Sequence, residues 1–269
     1  MLDLQFLKTV EELYAPSTGT EMMAPILYYL IRSTRPQHVL EYGAGYSTPF
    51  ILKALADNLS DYKSEIKALK SKNSSFSKSI SSAEFDAWCY DKGVPFYDPQ
   101  YYMIEYKPQL ICFEKLPKSH SYTQKVLDII NKLDLHKFLT FIEGSACGQS
   151  KKISEQYLPI DLAWNDDDSY YKFFSEYWDL INSDGGSILF HNTINAHSSV
   201  ISEMKKIKKK LEAGKDYELV NIVEPHKLDQ RSFTLIKKTT KSKDVHYNQP
   251  IHQKEIYNNF LTFINKFKD

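Results

Sequence analysis

The stretch Val39-Leu40-Glu41-Tyr42-Gly43-Ala44-Gly45-Tyr46-Ser47-Thr48-Pro49 decides how this chain is read. A short apolar run from His38 ends in an acid at Glu41, and two closely spaced glycines follow. A helical pattern over residues 49–58 begins at once, with Pro49 suited to its first turn. A strand that stops at a glycine turn and hands over to a helix is how a nucleotide-bearing cofactor is held at the edge of a parallel sheet. Backbone without side chains can approach the ligand closely there.

The flanking sequence repeats the alternation. Helices are predicted over residues 2–13 and 20–34, the second with Met23, Ile26, Leu27, Leu30 and Ile31 spaced for burial. Further strands are predicted at 109–113, 139–142, 160–164 and 187–190, with helices at 118–133, 169–182 and 199–212. Asp168 is placed to cap the helix of 169–182. Residues 217–223 and 232–237 read as a closing antiparallel pair. Strand and helix in turn argue for a mostly parallel sheet covered on both faces.

Two segments stand outside that pattern. Residues 60–107 are too long for a helix-to-strand connection and read as an insertion, with a Ser/Lys-rich half and an aromatic half that could cap a pocket. Residues 239–269 read as a linker and an amphipathic helix, with Ile256, Phe260, Ile264 and Phe267 on one face of 253–267. The N-terminal helices, residues 1–35, form an extension to the domain of residues 36–238.

Composition narrows the function classes. The 269 residues are 42% hydrophobic and carry 34 basic against 34 acidic side chains, so this is a folding chain without a global basic field for nucleic acid. The run Lys205-Lys206-Ile207-Lys208-Lys209-Lys210 reads as a solvated helix face. Cys89, Cys112 and Cys147 lack ligand-like or redox spacing. No signal sequence and no apolar run long enough to span a bilayer is present, so a cytoplasmic location is expected.

Ligands of such sheets gather at the carboxyl ends of the strands, and five successive apolar strands here end in polar groups. They are Glu41, Gly43 and Gly45 with Ser47 and Thr48; then Glu114; Glu143-Gly144-Ser145; Asn165 and Asp166; and His191 and Asn192. Singly, each has an ordinary reading. The glycines could make a tight turn, Glu114 could solvate a strand end, and His191 could be a structural histidine. Their joint order and spacing point to a site.

With those residues in view, the chain resembles a class I S-adenosylmethionine-dependent methyltransferase, more narrowly the small-molecule type whose first motif is Glu-x-Gly-x-Gly-x-Ser. Residues 36–58 carry that motif, and the resemblance covers residues 20–58 and 108–238. It implies an α/β, Rossmann-like fold: a mostly parallel seven-stranded sheet with a C-terminal antiparallel strand pair and helices on both faces. It also implies S-adenosyl-L-methionine as cofactor, held by Glu41, Gly43, Gly45, Ser47, the ribose-binding acid Glu114, the adenine-side Ser145, and Asp166. Some relatives hold a divalent metal and have an aspartate where this chain has Asn192, and often a histidine where it has Ser169; no metal is therefore expected.

The implied chemistry is transfer of a methyl group to an oxygen or nitrogen of a small metabolite, by in-line displacement with proton removal at a strand end. His191 and Asp166 are the candidate bases, with Asn165 and Asn192 beside them. Tyr42, Tyr46, Tyr97, Tyr101 and Tyr102 are candidates to line the acceptor pocket. Nucleic acid and membrane are not expected as partners, and a homodimer is. Two other enzyme readings stay open: attack on the cofactor's aminocarboxypropyl arm, by transfer or cyclisation with release of methylthioadenosine, and an NAD-dependent oxidoreductase. The latter lacks its usual third glycine, because Thr48 stands in that place.

Overall fold

The computed structural model describes residues 2–16, 19–73, 99–167, 169–194, 198–214, 217–227, 230, 232–239, 258, 262 and 266. The chain divides into two compact units. The first comprises residues 1–57 and 108–243, and the second 58–107 and 244–269. The N-terminal helices thus share a unit with the sheet.

In the first unit seven strands form one sheet: β1 (His38–Tyr42), β2 (Gln109–Glu114), β3 (Leu139–Glu143), β4 (Leu162–Asn165), β5 (Ser187–His191), β6 (Tyr217–Val223) and β7 (Ser232–Lys238). Their order is β3-β2-β1-β4-β5-β7-β6. The first five run parallel, and β7 is antiparallel to both β5 and β6. The order reverses direction at β1, between β2 and β4, where doubly wound sheets open a crevice. The helices are α1 (Leu4–Val10), α2 (Thr20–Thr34), α3 (Ser47–Asn73), α4 (Ser121–Lys132), α5 (Tyr170–Tyr177) and α6 (Ser198–Glu212).

Alternation along the strands gives the sheet two unlike faces. One carries Leu40, Tyr42, Ile111, Phe113, Ala163, Ile188 and Phe190, packed with Phe173, Phe174 and Tyr177 of α5 and Ile207 and Leu211 of α6. The other carries Glu41, Cys112, Trp164 and Leu189, which are neighbours across the registers Glu41↔Cys112, Glu41↔Trp164 and Trp164↔Leu189. All are buried, as in parallel sheets covered on both sides.

Two helices differ from the sequence expectation. α3 does not stop at residue 58 but continues to Asn73. Tyr62, Glu65 and Leu69, three and four residues apart, bury one stripe of it, so the polar residues between them are its solvated face rather than a loop. α5 spans eight residues, Tyr170–Tyr177, where 169–182 was predicted. A 3-10 turn, Trp178–Leu180, follows it, and Ile181 is then extended and bridges Ile160. Its N-cap is Ser169; Asp168 lies outside the described residues, as do Cys89 and, except for residues 258, 262 and 266, the segment 253–267. In α2, Met23, Leu27 and Ile31 are buried as expected, whereas Ile26 is exposed and Tyr28 packs inward instead. Among the described residues no helix is long and apolar enough to cross a membrane.

At the amino end of the sheet, Asp161 ties three segments together. Its Oδ2 accepts from the backbone N–H groups of Gln37 and His38 at 2.8 and 2.9 Å, and its Oδ1 accepts from Asn182 Nδ2 at 2.8 Å. Hydrogen bonds to a charged acceptor are among the stronger ones, and a partner left behind in a part-buried site is costly. Asp161→Ala is therefore expected to lower the unfolding free energy in urea by about 2–4 kcal/mol, with no change in ligand binding at the opposite edge; an unaltered midpoint would refute the assignment.

Candidate active site

The carboxyl edge of the parallel strands is held by acids that take up backbone and hydroxyl donors. Glu114 ends β2, where Oε2 accepts from the Ala44 amide at 2.7 Å and Oε1 from the Leu116 amide at 2.8 Å. One carboxylate thus fixes both the glycine turn and the β2 exit. With two oxygens and four lone-pair directions it keeps capacity for two further donors. The turn itself closes through Gly43 N–H to Phe113 O at 2.9 Å and Gly45 N–H to Thr48 Oγ1 at 2.9 Å. Gly43 has φ +101°, a conformation that side chains disfavour, and an added Cβ would stand 3.3 Å from the Asp166 carbonyl oxygen.

Glu41 lies in the central strand with no exposed surface. Ser47 Oγ donates to its Oε1 at 2.6 Å, while Oε2 has no hydrogen-bond partner among the described residues. Burial, opposed by hydrogen bonds and reinforced by the nearby charge of Asp166, pushes its carboxyl from 4.5 up to about 8. At neutral pH this acid is mostly protonated and can donate as well as accept.

β4 and β5 join at their ends through Asp166 and His191. Asp166 Oδ1 and His191 Nδ1 are 2.7 Å apart, and the imidazole is only 4% exposed. Its Nε2 is buried and has no partner among the described residues. The Trp164 ring lies 5.8 Å from the imidazole, with its own Nε1 likewise unpartnered among those residues. Glu41, Trp164, Asp166 and His191 lie on one sheet face, and Glu41 Oε2, Trp164 Nε1 and His191 Nε2 are buried there without partners among the described residues.

Other candidates are placed differently. Asn165 alternates to the opposite face, where its Oδ1 accepts from the Asp167 amide at 2.9 Å; it is not brought to His191. Asn192 has φ +50° and donates its backbone N–H to Ser232 O at 2.6 Å, leaving its buried Oδ1 without a partner among the described residues. Ser145 Oγ is engaged by the Tyr42 hydroxyl at 2.7 Å and the Cys147 amide at 3.2 Å. Tyr42 is a core residue, stacked on Phe173 at 6.0 Å. Tyr46 packs against Phe50 and Tyr14, with centroids 5.1 and 5.9 Å away. Tyr101 and Tyr102 belong to the second unit, where Tyr102 stacks on Tyr62 at 5.5 Å and donates to Glu65 Oε2 at 2.8 Å. Tyr97 lies outside the described residues. Among those described, no three His, Cys, Asp or Glu side chains come together as a metal group.

Two side chains at this edge were not anticipated. Tyr122, in the first turn of α4, brings its hydroxyl to 3.3 Å from where a Gly45 Cβ would stand. Burial first, and then the charges of Asp166, Glu114 and Glu41, raise its pKa, which places the phenol among the site's acids. Lys115 Nζ pairs with Asp167 Oδ2 at 2.6 Å, linking the exits of β2 and β4 across β1. Lys115 had the signal of standing next to the end of β2, and Tyr122 had none.

Solved structures share this fold. The O-methyltransferase TomG from Streptomyces achromogenes, involved in tomaymycin synthesis and crystallised with SAM, is 13% identical, with 89% of this chain and 92% of that one covered at a TM-score of 0.58. An O-methyltransferase from Bacillus cereus in complex with SAH is 13% identical over the same shares, at a TM-score of 0.56. The fold is that of the class I methyltransferases. No protein-family model matches the chain, and no curated protein matches it in sequence.

Glu41 yields a pH prediction. Its folded value near 8 lies above the unfolded 4.5, so the stability it permits is fully present below about pH 4.5 and is lost as the pH rises through about 8. Glu41→Gln abolishes that titration. Relative to wild type, the variant should gain on the order of 4 kcal/mol between pH 4 and pH 9, read from urea unfolding at both values. A difference that stays constant with pH would contradict the burial of an ionisable Glu41.

Proposed function

We propose that the chain is an S-adenosylmethionine-dependent methyltransferase acting on an oxygen or nitrogen of a small metabolite. One observation carries the reading. A side-chain-free turn able to receive a cofactor and a histidine oriented by a carboxylate share one strand edge, with Gly43 set against Asp166 and Asp166 bonded to His191. The methyltransferase fold of the solved O-methyltransferases supports it.

The residues present fit the cofactor. Gly43 and Gly45 leave the turn open to close approach, and Glu114 retains acceptor capacity for a pair of ribose hydroxyls. Oε2 of Glu41, buried and without a partner among the described residues, can take a donor from the ligand. Tyr122 adds a hydroxyl over Gly45. The cofactor supplies an activated methyl group on a sulfonium.

The chain supplies alignment and a base. Donation of the Nδ1 proton to Asp166 leaves the lone pair on Nε2, which can accept the proton of an attacking hydroxyl. Asp166 then stabilises the imidazolium as it forms, a role that needs no proton transfer to the carboxylate. Glu41, protonated near neutral pH, does not compete with Asp166 for that positive charge.

The test is to incubate the protein with S-adenosylmethionine and a panel of phenols and amines and to identify the nucleoside product by mass. S-adenosylhomocysteine is expected. Methylthioadenosine would instead establish chemistry on the aminocarboxypropyl arm, and no adenosyl product would refute the proposal. With an accepted hydroxyl acceptor, His191→Gln should lower kcat by about 10²–10⁴ while S-adenosylhomocysteine affinity stays within about threefold. Unchanged turnover would remove His191 from the chemistry.

A further inference from the structure

The atom of His191 best placed to take a proton is walled off by backbone. Nε2 is buried without a partner among the described residues, and Gly19, the residue that opens α2, lies directly against it. A Cβ on Gly19 would stand 3.0 Å from Nε2 and 2.5 Å from the carbonyl oxygen of Gln230. Both contact residues are in the left-handed region, Gly19 at φ +73° and Gln230 at φ +50°. On the sheet side the ring meets Trp164. The imidazole is therefore enclosed between the sheet and two unusual backbone turns that touch each other.

A second contact joins the same two segments. Glu21, in the first turn of α2, pairs with Lys227 at 2.5 Å, and Lys227 pairs with Glu224 at 2.9 Å after the end of β6. Their side chains are 13, 17 and 16% exposed, so solvent screens these pairs less than it would at the surface. A buried polar atom with no partner is costly to keep, and an unfavourable backbone conformation persists only where its surroundings hold it. Here both coincide over one candidate base.

We propose that Gly19 and Gln230 form a strap over His191, latched by the pairs of Lys227 with Glu21 and Glu224, which must part for an acceptor hydroxyl to reach Nε2. These are positioning residues, and they decide what size of group meets the base. Any side chain at position 19 would fill the approach to Nε2. The inference rests on the reading of His191 as the base, but the closure over its ring can be measured without an acceptor.

Diethyl pyrocarbonate acylates accessible neutral imidazole nitrogens, and with Nδ1 bonded to Asp166 only Nε2 of His191 can react. Modification rates would be followed by peptide mass spectrometry, with His136, whose side chain is 61% exposed, as the reference within the same molecule. Wild-type His191 should react at least about tenfold more slowly than His136, and Lys227→Met should raise its rate about tenfold. Gln230→Gly, which thins the wall, should act in the same direction. Wild-type His191 reacting as fast as His136 would overturn the proposal, as would full protection persisting in both folded variants. Calorimetry with S-adenosylhomocysteine on the same samples separates the two claims. Absence of binding to wild type refutes the methyltransferase reading, whereas the acylation rates report on the strap alone.

Discussion

The 2.7 Å hydrogen bond between Asp166 and His191 is the interaction on which the proposed chemistry at the carboxyl edge of this sheet depends. It exists because β4 and β5 are adjacent parallel strands in register, so residues just past Trp164 and Leu189 come side by side on one face. With Asp166 ionised, the bond requires the proton on Nδ1 and leaves the lone pair on Nε2. The strand order places β1 next to β4, which brings the glycine turn to the same edge.

Three carboxyl groups share this edge, and their surroundings separate their roles. Glu114 is spent on two backbone amides and acts as a clamp that can still accept from a ligand. Asp166 faces His191. Glu41, deepest of the three, is kept largely protonated by burial and by its charged neighbour. Acids placed so close could not all ionise without cost, and the site resolves this by depth. A cation arriving beside Glu41 would reverse that balance, so ligand charge and carboxyl ionisation are coupled here.

Much of this was legible in the sequence because polar residues at the ends of apolar strands have few uses. Glu41, Gly43, Glu114, Asp166 and His191 all stand at the shared edge, and the mostly parallel sheet with its antiparallel final pair was read from the alternation of elements, whereas the order of the strands was not. The sequence misled where periodicity or alternation was hidden. Residues 60–73 look polar and loop-like, yet Tyr62 and Leu69 supply the buried stripe that extends α3. Tyr42 and Asn165 neighbour site residues in sequence, but each turns to the opposite face of its strand and serves the core or the backbone. Tyr122, Gly19 and Gln230 reach the site from outside the strands, and no spacing rule connects them to it.

The central claim is that the Gly43 turn, with Glu114 beside it, forms an adenosyl-cofactor site. Titration calorimetry with S-adenosylmethionine, S-adenosylhomocysteine and NAD on wild type and Gly43→Val tests it most directly. The variant forces a branched side chain into a conformation at φ +101°, with a Cβ only 3.3 Å from the Asp166 carbonyl. The account predicts binding of both adenosyl compounds to wild type, none of NAD, and loss of binding in a variant that still unfolds cooperatively. Folded wild type that binds neither adenosyl compound, or Gly43→Val that binds them as well as wild type, would contradict it.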